Sequence, residues 1–378
     1  MKRRSFMLVL AAGGAVIALP GCDSMPASAI APWYGPRATE TDPRLRALSW
    51  ALLAPNPHNL QSWVADIREP GLIRLSVDLQ RLLPATDPPN RQVLIGCGAF
   101  LELLCLAAAQ QGQRAEVTLL PEGDYARGGV DARPFATLRL TPDASTKPDP
   151  LFAAVPLRRT NRAPYSAQVP DAAVLAQLAA AAQRPGITLH STTDLAKVQR
   201  LRELAIAGYR VEFSTPATWA ESADLTRLGA GAVAAEPSGI AALGTMVWFG
   251  RKLGLLDTTS LRRTDGIAAK TTIDSSVDAA NHTHAWAWLR SADNSRGTQI
   301  EAGRAYMRSD LAAASLGLAI HPNSQVLQEF EEMAALYSRF HDEVGAAGTS
   351  RVQMFVRLGH ASRPEPAPRR PLSQLVRA

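Results

Sequence analysis

Cysteine is nearly absent, with three in 378 residues. Cys97 and Cys105 lie eight residues apart on one apolar segment. On a helix that spacing is about 12 Å along the axis, too far for a disulfide, so both read as core thiols and no redox pair is expected. No CxxC, GxSxG or P-loop pattern occurs, which removes dithiol exchange, the serine-hydrolase elbow and Walker-type phosphate binding. Lysine is scarce among the 40 basic residues. The arginines are dispersed apart from a few clusters, so the formal charge of +6 does not describe a nucleic-acid surface, and none is expected as partner. His282 and His284 offer two imidazoles with no third ligand close in sequence, and no metal is expected. Gly229 and Gly231 lack the preceding strand and third glycine of a dinucleotide fingerprint. Beyond the N-terminus no apolar run is expected to span a bilayer.

What is present begins with an address. Arg3 and Arg4 precede Ser5-Phe6-Met7, which fits the twin-arginine pattern, and an apolar stretch runs from Phe6 to Leu19. That stretch is shorter than the ~20 residues a membrane helix needs. It ends at Leu19-Pro20-Gly21-Cys22, which resembles a lipobox. The reading is a twin-arginine and lipoprotein signal over 1–21, lipidation at Cys22, and a tether over 22–42 rich in Pro, Ala, Ser and Thr. The alternative is an ordinary signal with a chance cysteine. The expected location is the periplasmic side of a membrane, with Asp23 next to the anchor favouring the inner one.

The remainder, 43–378, reads as a duplication. A helix is expected over Pro43–Leu53 and a strand over Ile73–Leu79. A long apolar helix follows Arg91. Arg91, Gly98, Leu106, Ala107–Ala109 and Gly112 match Arg296, Gly303, Leu311, Ala312–Ala314 and Gly317, all at an offset of 205 residues. The stretch Pro43–Asn59 likewise resembles Pro170–Gly186. The expectation is a first half over 43–155 and a second over 156–378. The segment of about 215–272 has no counterpart in the first half and reads as a lid.

Two motifs lie in complementary halves. Ala54-Pro55-Asn56-Pro57-His58-Asn59-Leu60-Gln61-Ser62-Trp63 is in the first. Pro156-Leu157-Arg158-Arg159-Thr160-Asn161-Arg162-Ala163-Pro164-Tyr165 opens the second. They resemble two signatures of the nitroreductase-like flavoprotein family, in particular its Acg-like branch, where one chain imitates a dimer. The chain closes on Arg363–Leu372, similar to the family's basic, Pro-rich ending. Ser62 stands where the family has Pro, and Pro57 and His58 where small residues are usual, which crowds the pocket.

The resemblance implies an α+β, nitroreductase-like fold of two tandem halves, each with a mainly antiparallel sheet flanked by helices. It implies FMN as cofactor, bound at one site per chain in a monomeric pseudo-dimer. Arg158, Arg159 and Arg369 are the phosphate candidates, with Arg162 and Arg370 behind them and Thr160 as a hydroxyl donor, because guanidinium forks bind phosphate oxygens bidentately. Pro55, Asn56, Asn59 and Gln61 are expected beside the flavin, the amides matching its mixed polar edge. His321 and Pro322 belong to a loop that passes close to it. No side chain is expected to act as a catalytic nucleophile. The implied activity is two-electron, ping-pong transfer between small-molecule donors and a quinone- or nitro-type acceptor. The alternative is a protein that sequesters FMN under the lid without turnover.

Overall fold

The computed structural model describes residues 23–125 and 129–378. The signal segment 1–21 and Cys22 lie outside the described residues. The segment read as a tether is packed, not free. It forms helix α1 (Ala27–Ile30) and a 3-10 turn over Ala31–Tyr34 that buries Trp33 to 6% exposure. The indole Nε1 donates to the Ala367 carbonyl at 2.8 Å, and an apolar ring with one satisfied donor has no reason to stay in water.

Helix α2 (Pro43–Ala51) starts where expected: Pro43 occupies the first turn and the Asp42 side chain accepts from Arg44 N–H at 2.8 Å. Then follow β1 (Trp63–Asp66), β2 (Leu72–Val77), α3 (Arg91–Ala109), β3 (Gln113–Leu119) and β4 (Pro134–Pro142). The second half repeats the sequence of elements: α4 (Ala172–Ala181), β5 (Ile187–Thr192), a long insertion, β8 (Ala285–Ser291), α11 (Arg296–Ser315), β9 (Ala319–Pro322) and β10 (Arg351–Gly359). The insertion holds α5 (Leu195–Ser214), α6 (Pro216–Asp224), β6 (Thr226–Leu228), α7 (Ala230–Ala235), β7 (Ile240–Ala242), α8 (Thr245–Lys252), α9 (Thr258–Leu261) and α10 (Ile267–Asn281). A further helix, α12 (Ala334–Glu343), separates β9 from β10.

The two sheets have one strand order. In the first it is β1-β2-β4-β3 and in the second β5-β8-β10-β9, every pair antiparallel. The architecture is thus α+β with helix-flanked, mainly antiparallel sheets. The C-terminal strand β11 (Val376–Arg377) leaves the second half and adds to the first sheet, parallel to β1.

The glycines at the 205-residue offset explain how the halves meet. A Cβ on Gly98 would stand 2.0 Å from the Ile300 carbonyl oxygen, and one on Gly303 1.9 Å from that of Ile95. Ile95 and Ile300 share the same offset, so α3 and α11 cross reciprocally with no room for a side chain at the contact. The first residues of these helices are exchanged in the same way. Arg91 donates to the carbonyls of Leu327 and Gln353 in the second half, and Arg296 to those of Pro89 and Gly129 in the first. The run that was expected to be too short to span does make α3 a 19-residue helix apolar enough for a membrane, but its window is 83% buried by the protein itself.

The insertion is longer than the expected lid. Where β1 reaches β2 by a short turn, β5 reaches β8 through residues 193–284. The flanks of this stretch belong to the body, because α5 buries Val198, Leu201 and Leu204 against Trp286, Trp288 and Phe355 of the sheet.

Candidate functional site

The Pro57–Gln61 loop is held in conformations that L-residues rarely adopt. His58, Asn59 and Gln61 have φ of 48°, 54° and 56°, each costing on the order of 1 kcal/mol that neighbouring contacts must offset. Those contacts are visible. The Asn56 carboxamide oxygen accepts from Gln61 N–H at 2.8 Å, and its NH2 donates to the Ala54 carbonyl at 3.1 Å. A Cβ on Gly96 would touch Asn56 and Pro57 at 3.1–3.2 Å, so the loop lies directly on α3. Pro55, Asn56 and His58 are half-buried.

Asn59 and Gln61 do not present free amides. Asn59 Nδ2 donates to Pro368 O at 3.0 Å and Gly239 O at 3.3 Å, while Oδ1 accepts from Arg369 at 2.6 Å. Gln61 is fully buried. Its Nε2 donates to Pro237 O and its Oε1 accepts from Arg370 N–H at 2.8 Å. These two residues staple the loop to the C-terminal segment and to the insertion. Arg370 is spent similarly: Nη1 donates to Gln61 O and Nη2 to Gln374 O at 3.0 Å. It takes no part in a phosphate cluster.

Three other arginines converge on Trp33. The guanidinium carbons of Arg159, Arg369 and Arg158 stand 3.9, 5.4 and 5.9 Å from the indole ring. Arg158 also pairs with Asp310 of α11 at 3.2 Å and donates to Leu53 O. Arg369 donates to Leu53 O and Ala54 O. Yet Nε of all three is buried without a hydrogen-bond partner. Asp310 is the one carboxylate paired with them among the described residues. Lost hydration, then the neighbouring Arg158, hold the Arg159 guanidinium down to about 10. The same causes, with Arg158 and Arg159 as the neighbours, press Arg369 well below its ordinary value. The cluster therefore carries surplus positive charge in a dry place, which suits a dianion.

Beyond this cluster the Arg-rich segment runs beside β9. Thr160 forms a parallel bridge with Ile320, and Asn161 N–H donates to Ile320 O at 2.9 Å. That pairing brings Arg162 toward His321. Arg162 makes no hydrogen bond or ion pair among the described residues and reaches solvent. Nevertheless lost hydration is the first cause lowering its pKa, with Arg357 adding repulsion and Tyr209, Tyr306 and Tyr165 close enough to act on it.

Two histidines lie near enough to Arg162 to feel its charge. His58 Nε2 meets Ser222 Oγ of α6 at 3.0 Å, and burial followed by Arg162 lowers its pKa to about 4. His321 Nδ1 accepts from Arg357 Nε at 3.1 Å. A guanidinium cannot accept, so the proton of neutral His321 sits on Nε2. Burial, then Arg357 and Arg162, keep this ring neutral, so it serves as a hydrogen-bond donor and not as an acid. Arg357 is itself locked by Ala279 O, Asn161 O and the Tyr165 ring face at 4.4 Å. Pro322 is half-buried at the end of β9, opposite Val356.

Trp33, Asp310 and Arg357, which touch the Arg-rich segment or His321, were not singled out by the sequence. Asp310 had a signal, an acid where the matching helix has the apolar Cys105. Trp33 had none, because its partners are more than a hundred residues away.

No family model matches the chain. It is 27% identical over 342 residues to a Mycobacterium tuberculosis H37Rv protein that carries the name NAD(P)H nitroreductase, covering 87% of this chain and 89% of the relative. The M. tuberculosis protein named as the NAD(P)H nitroreductase acg is 37% identical over 133 residues, 35% of this chain and 38% of the relative. Among solved structures, an FMN- and NADPH-dependent nitroreductase from sphigopyxis sp. strain HMH matches at 17% identity and TM-score 0.37, covering 60% of this chain and 98% of that one. At that score the superposition carries no argument. The similarity to the first of these relatives runs along 87% of the chain.

Proposed function

We propose that this chain is an exported, FMN-dependent oxidoreductase that passes two electrons in ping-pong fashion to a quinone- or nitro-type acceptor. The observation that carries the reading is the cluster of Arg158, Arg159 and Arg369 around Trp33, whose buried Nε atoms have no partner, close in sequence to Arg162, which is exposed and makes no hydrogen bond or ion pair among the described residues. The residues fit the cofactor at both ends. Arg158, Arg159 and Arg369 would hold its phosphate, Thr160 would offer a hydroxyl, and Arg162 with His321 Nε2–H would be donors toward the ring. Bound FMN would supply the two-electron chemistry. The protein's part is orientation and potential, since a cation near the ring favours the reduced, more negative flavin. The relatives' nitroreductase names support the same class. The twin-arginine pattern and Cys22 support export and lipidation, and the fused halves support a monomer.

The second reading, FMN held without turnover, is favoured by how the insertion is seated. Ser222 engages His58, and the carbonyls of Gly239 and Pro237 take the amides of Asn59 and Gln61. The experiment is an absorbance spectrum of the purified chain followed by anaerobic titration with NADPH and with dithionite. Flavin bands with rapid reoxidation by a quinone support the enzyme. Flavin reduced by dithionite but not reoxidised by small acceptors selects sequestration. No flavin uptake after adding FMN overturns both.

A further inference from the structure

Helix α8 leaves its apolar side in water. Met246, Phe249 and Leu253 recur at i, i+3 and i+7 and are 50%, 38% and 66% exposed, and Leu255 just beyond is 71% exposed. No residue of α8 is buried. The opposite side fixes the helix on the body, where Val247 and Leu256 pack on Ala223, Leu228 and Leu261. Trp248 meets Phe249 edge to face at 4.9 Å, and Lys252 Nζ lies 5.9 Å from the Trp248 ring. Residues 245–263 contain four basic side chains (Arg251, Lys252, Arg262 and Arg263) against one acid, Asp257. Arg262 and Arg263 are paired with Asp224 and Asp265, at exposed positions. An apolar stripe with an aromatic pair and a basic flank is the composition of a helix that lies in a membrane interface.

A second observation places the chain's own anchor point there. Asp23, the first described residue, is pinned against the same helix. Its carboxylate accepts from Ala230 N–H at 2.6 Å and lies 3.9 Å from Arg251, while its carbonyl accepts from Gly244 N–H, at the start of α8. Cys22 is one peptide unit earlier, ~3.8 Å between Cα atoms.

We propose that the α8 face docks on an anionic lipid surface, with Met246, Phe249, Leu253 and Leu255 entering the headgroup boundary and Arg251 and Lys252 meeting phosphates. The proposal deepens the reading of Cys22 as lipidated and rests on it for the address, but not for the surface. An anchor at Cys22 would hold the chain to the bilayer, and the α8 face would set which way it lies. The insertion that carries α8 also touches the candidate site, where Ser222 meets His58.

The test is hydrogen–deuterium exchange of the exported full chain, free and on vesicles of phosphatidylethanolamine with phosphatidylglycerol. Amides of 246–256 are expected to slow several-fold on vesicles. The combined variant Met246→Asp, Phe249→Asp and Leu253→Asp should lose that protection while the acylated chain still floats with the vesicles. A Cys22→Ser chain should bind at least tenfold more weakly yet protect the same amides. If mass spectrometry finds Cys22 unmodified in the wild type and the protection persists, lipidation fails and the docking surface stands. An acylated chain that floats with 246–256 unchanged overturns the proposal. So does the same protection in concentrated protein without lipid, which would assign the face to self-association, and equal protection on neutral phosphatidylcholine, which would remove the anionic requirement.

Discussion

Arg162 is an exposed guanidinium with no hydrogen-bond or ion-pair partner among the described residues. Its removal costs the fold nothing in hydrogen bonds, since it makes none among the described residues, but would cost a bound anion one charge-assisted contact of about 1.5–3 kcal/mol. Arg162→Gln is therefore expected to weaken FMN binding by about 10- to 100-fold with an unchanged denaturation midpoint, measured by quenching of flavin fluorescence and by urea unfolding. Equal affinity in the variant would remove Arg162 from the site. His58 reports on the same charge. Its pKa falls from an ordinary 6.5 to about 4, through burial and then Arg162. The unfolded chain then binds more protons than the folded one between these values, so stability rises with pH across that window and is lost as pH drops through it. His58→Gln should flatten this part of the stability–pH curve relative to the wild type. Arg162→Gln should flatten it in part, because the repulsion is removed and the burial stays. Denaturation at pH 5 and pH 7 for the three chains decides, and parallel curves would mean that His58 is already hydrated.

At the scale of elements, the crossing of α3 and α11 makes a sharper demand. Gly98→Ala and Gly303→Ala each place a methyl about 2 Å from a backbone carbonyl oxygen of the other helix, and neither backbone can yield without parting the halves. Each is expected to destabilise by about 3 kcal/mol, the upper part of the range for overpacking. The double variant should cost less than the sum, because one displacement relieves both clashes. Urea unfolding of the two singles and the double checks this; full additivity would place the two glycines in separate contacts. This element was legible in the sequence, because a close helix crossing needs glycine at fixed positions on both partners and the 205-residue offset carried that need in plain letters. The same holds for the helix ends, where Gly112 and Gly317 both take positive φ. The insertion was legible only in its middle. Its flanks, α5 and α10, are ordinary amphipathic helices, and nothing in their residues says that they cover a sheet instead of a cofactor. The protein partners of the Asn59 and Gln61 amides were illegible for a related reason. An amide suits a flavin edge and a backbone carbonyl equally, and the carbonyls that took them lie about 180 and 310 residues away in the chain.

Across the whole molecule, the pseudo-twofold arrangement would offer two equivalent positions for a cofactor, and the chain furnishes one. The strained Pro57–Gln61 loop follows α2. The matching stretch after α4, Gln183–Gly186, is closed by a bridge between Arg184 and Ile187 and by the ion pair of Arg184 with Glu301 at 2.7 Å. The Arg158–Arg162 segment precedes α4. Its counterpart before α2, Trp33–Arg37, has a single arginine and sends Trp33 to the other cluster. The swapped arginines at the heads of α3 and α11, and β11 in the first sheet, tie the halves to each other within one chain. The expected stoichiometry is therefore one FMN per 40.5 kDa chain, with the monomer as the flavin-bearing species. Flavin absorbance after denaturation against protein concentration gives the first number, and sedimentation equilibrium gives the second. Two flavins per chain would mean that the stretch after α4 opens into a site of its own. Half a flavin per chain, carried by a dimer, would mean that the complementary motifs act between copies and not within one.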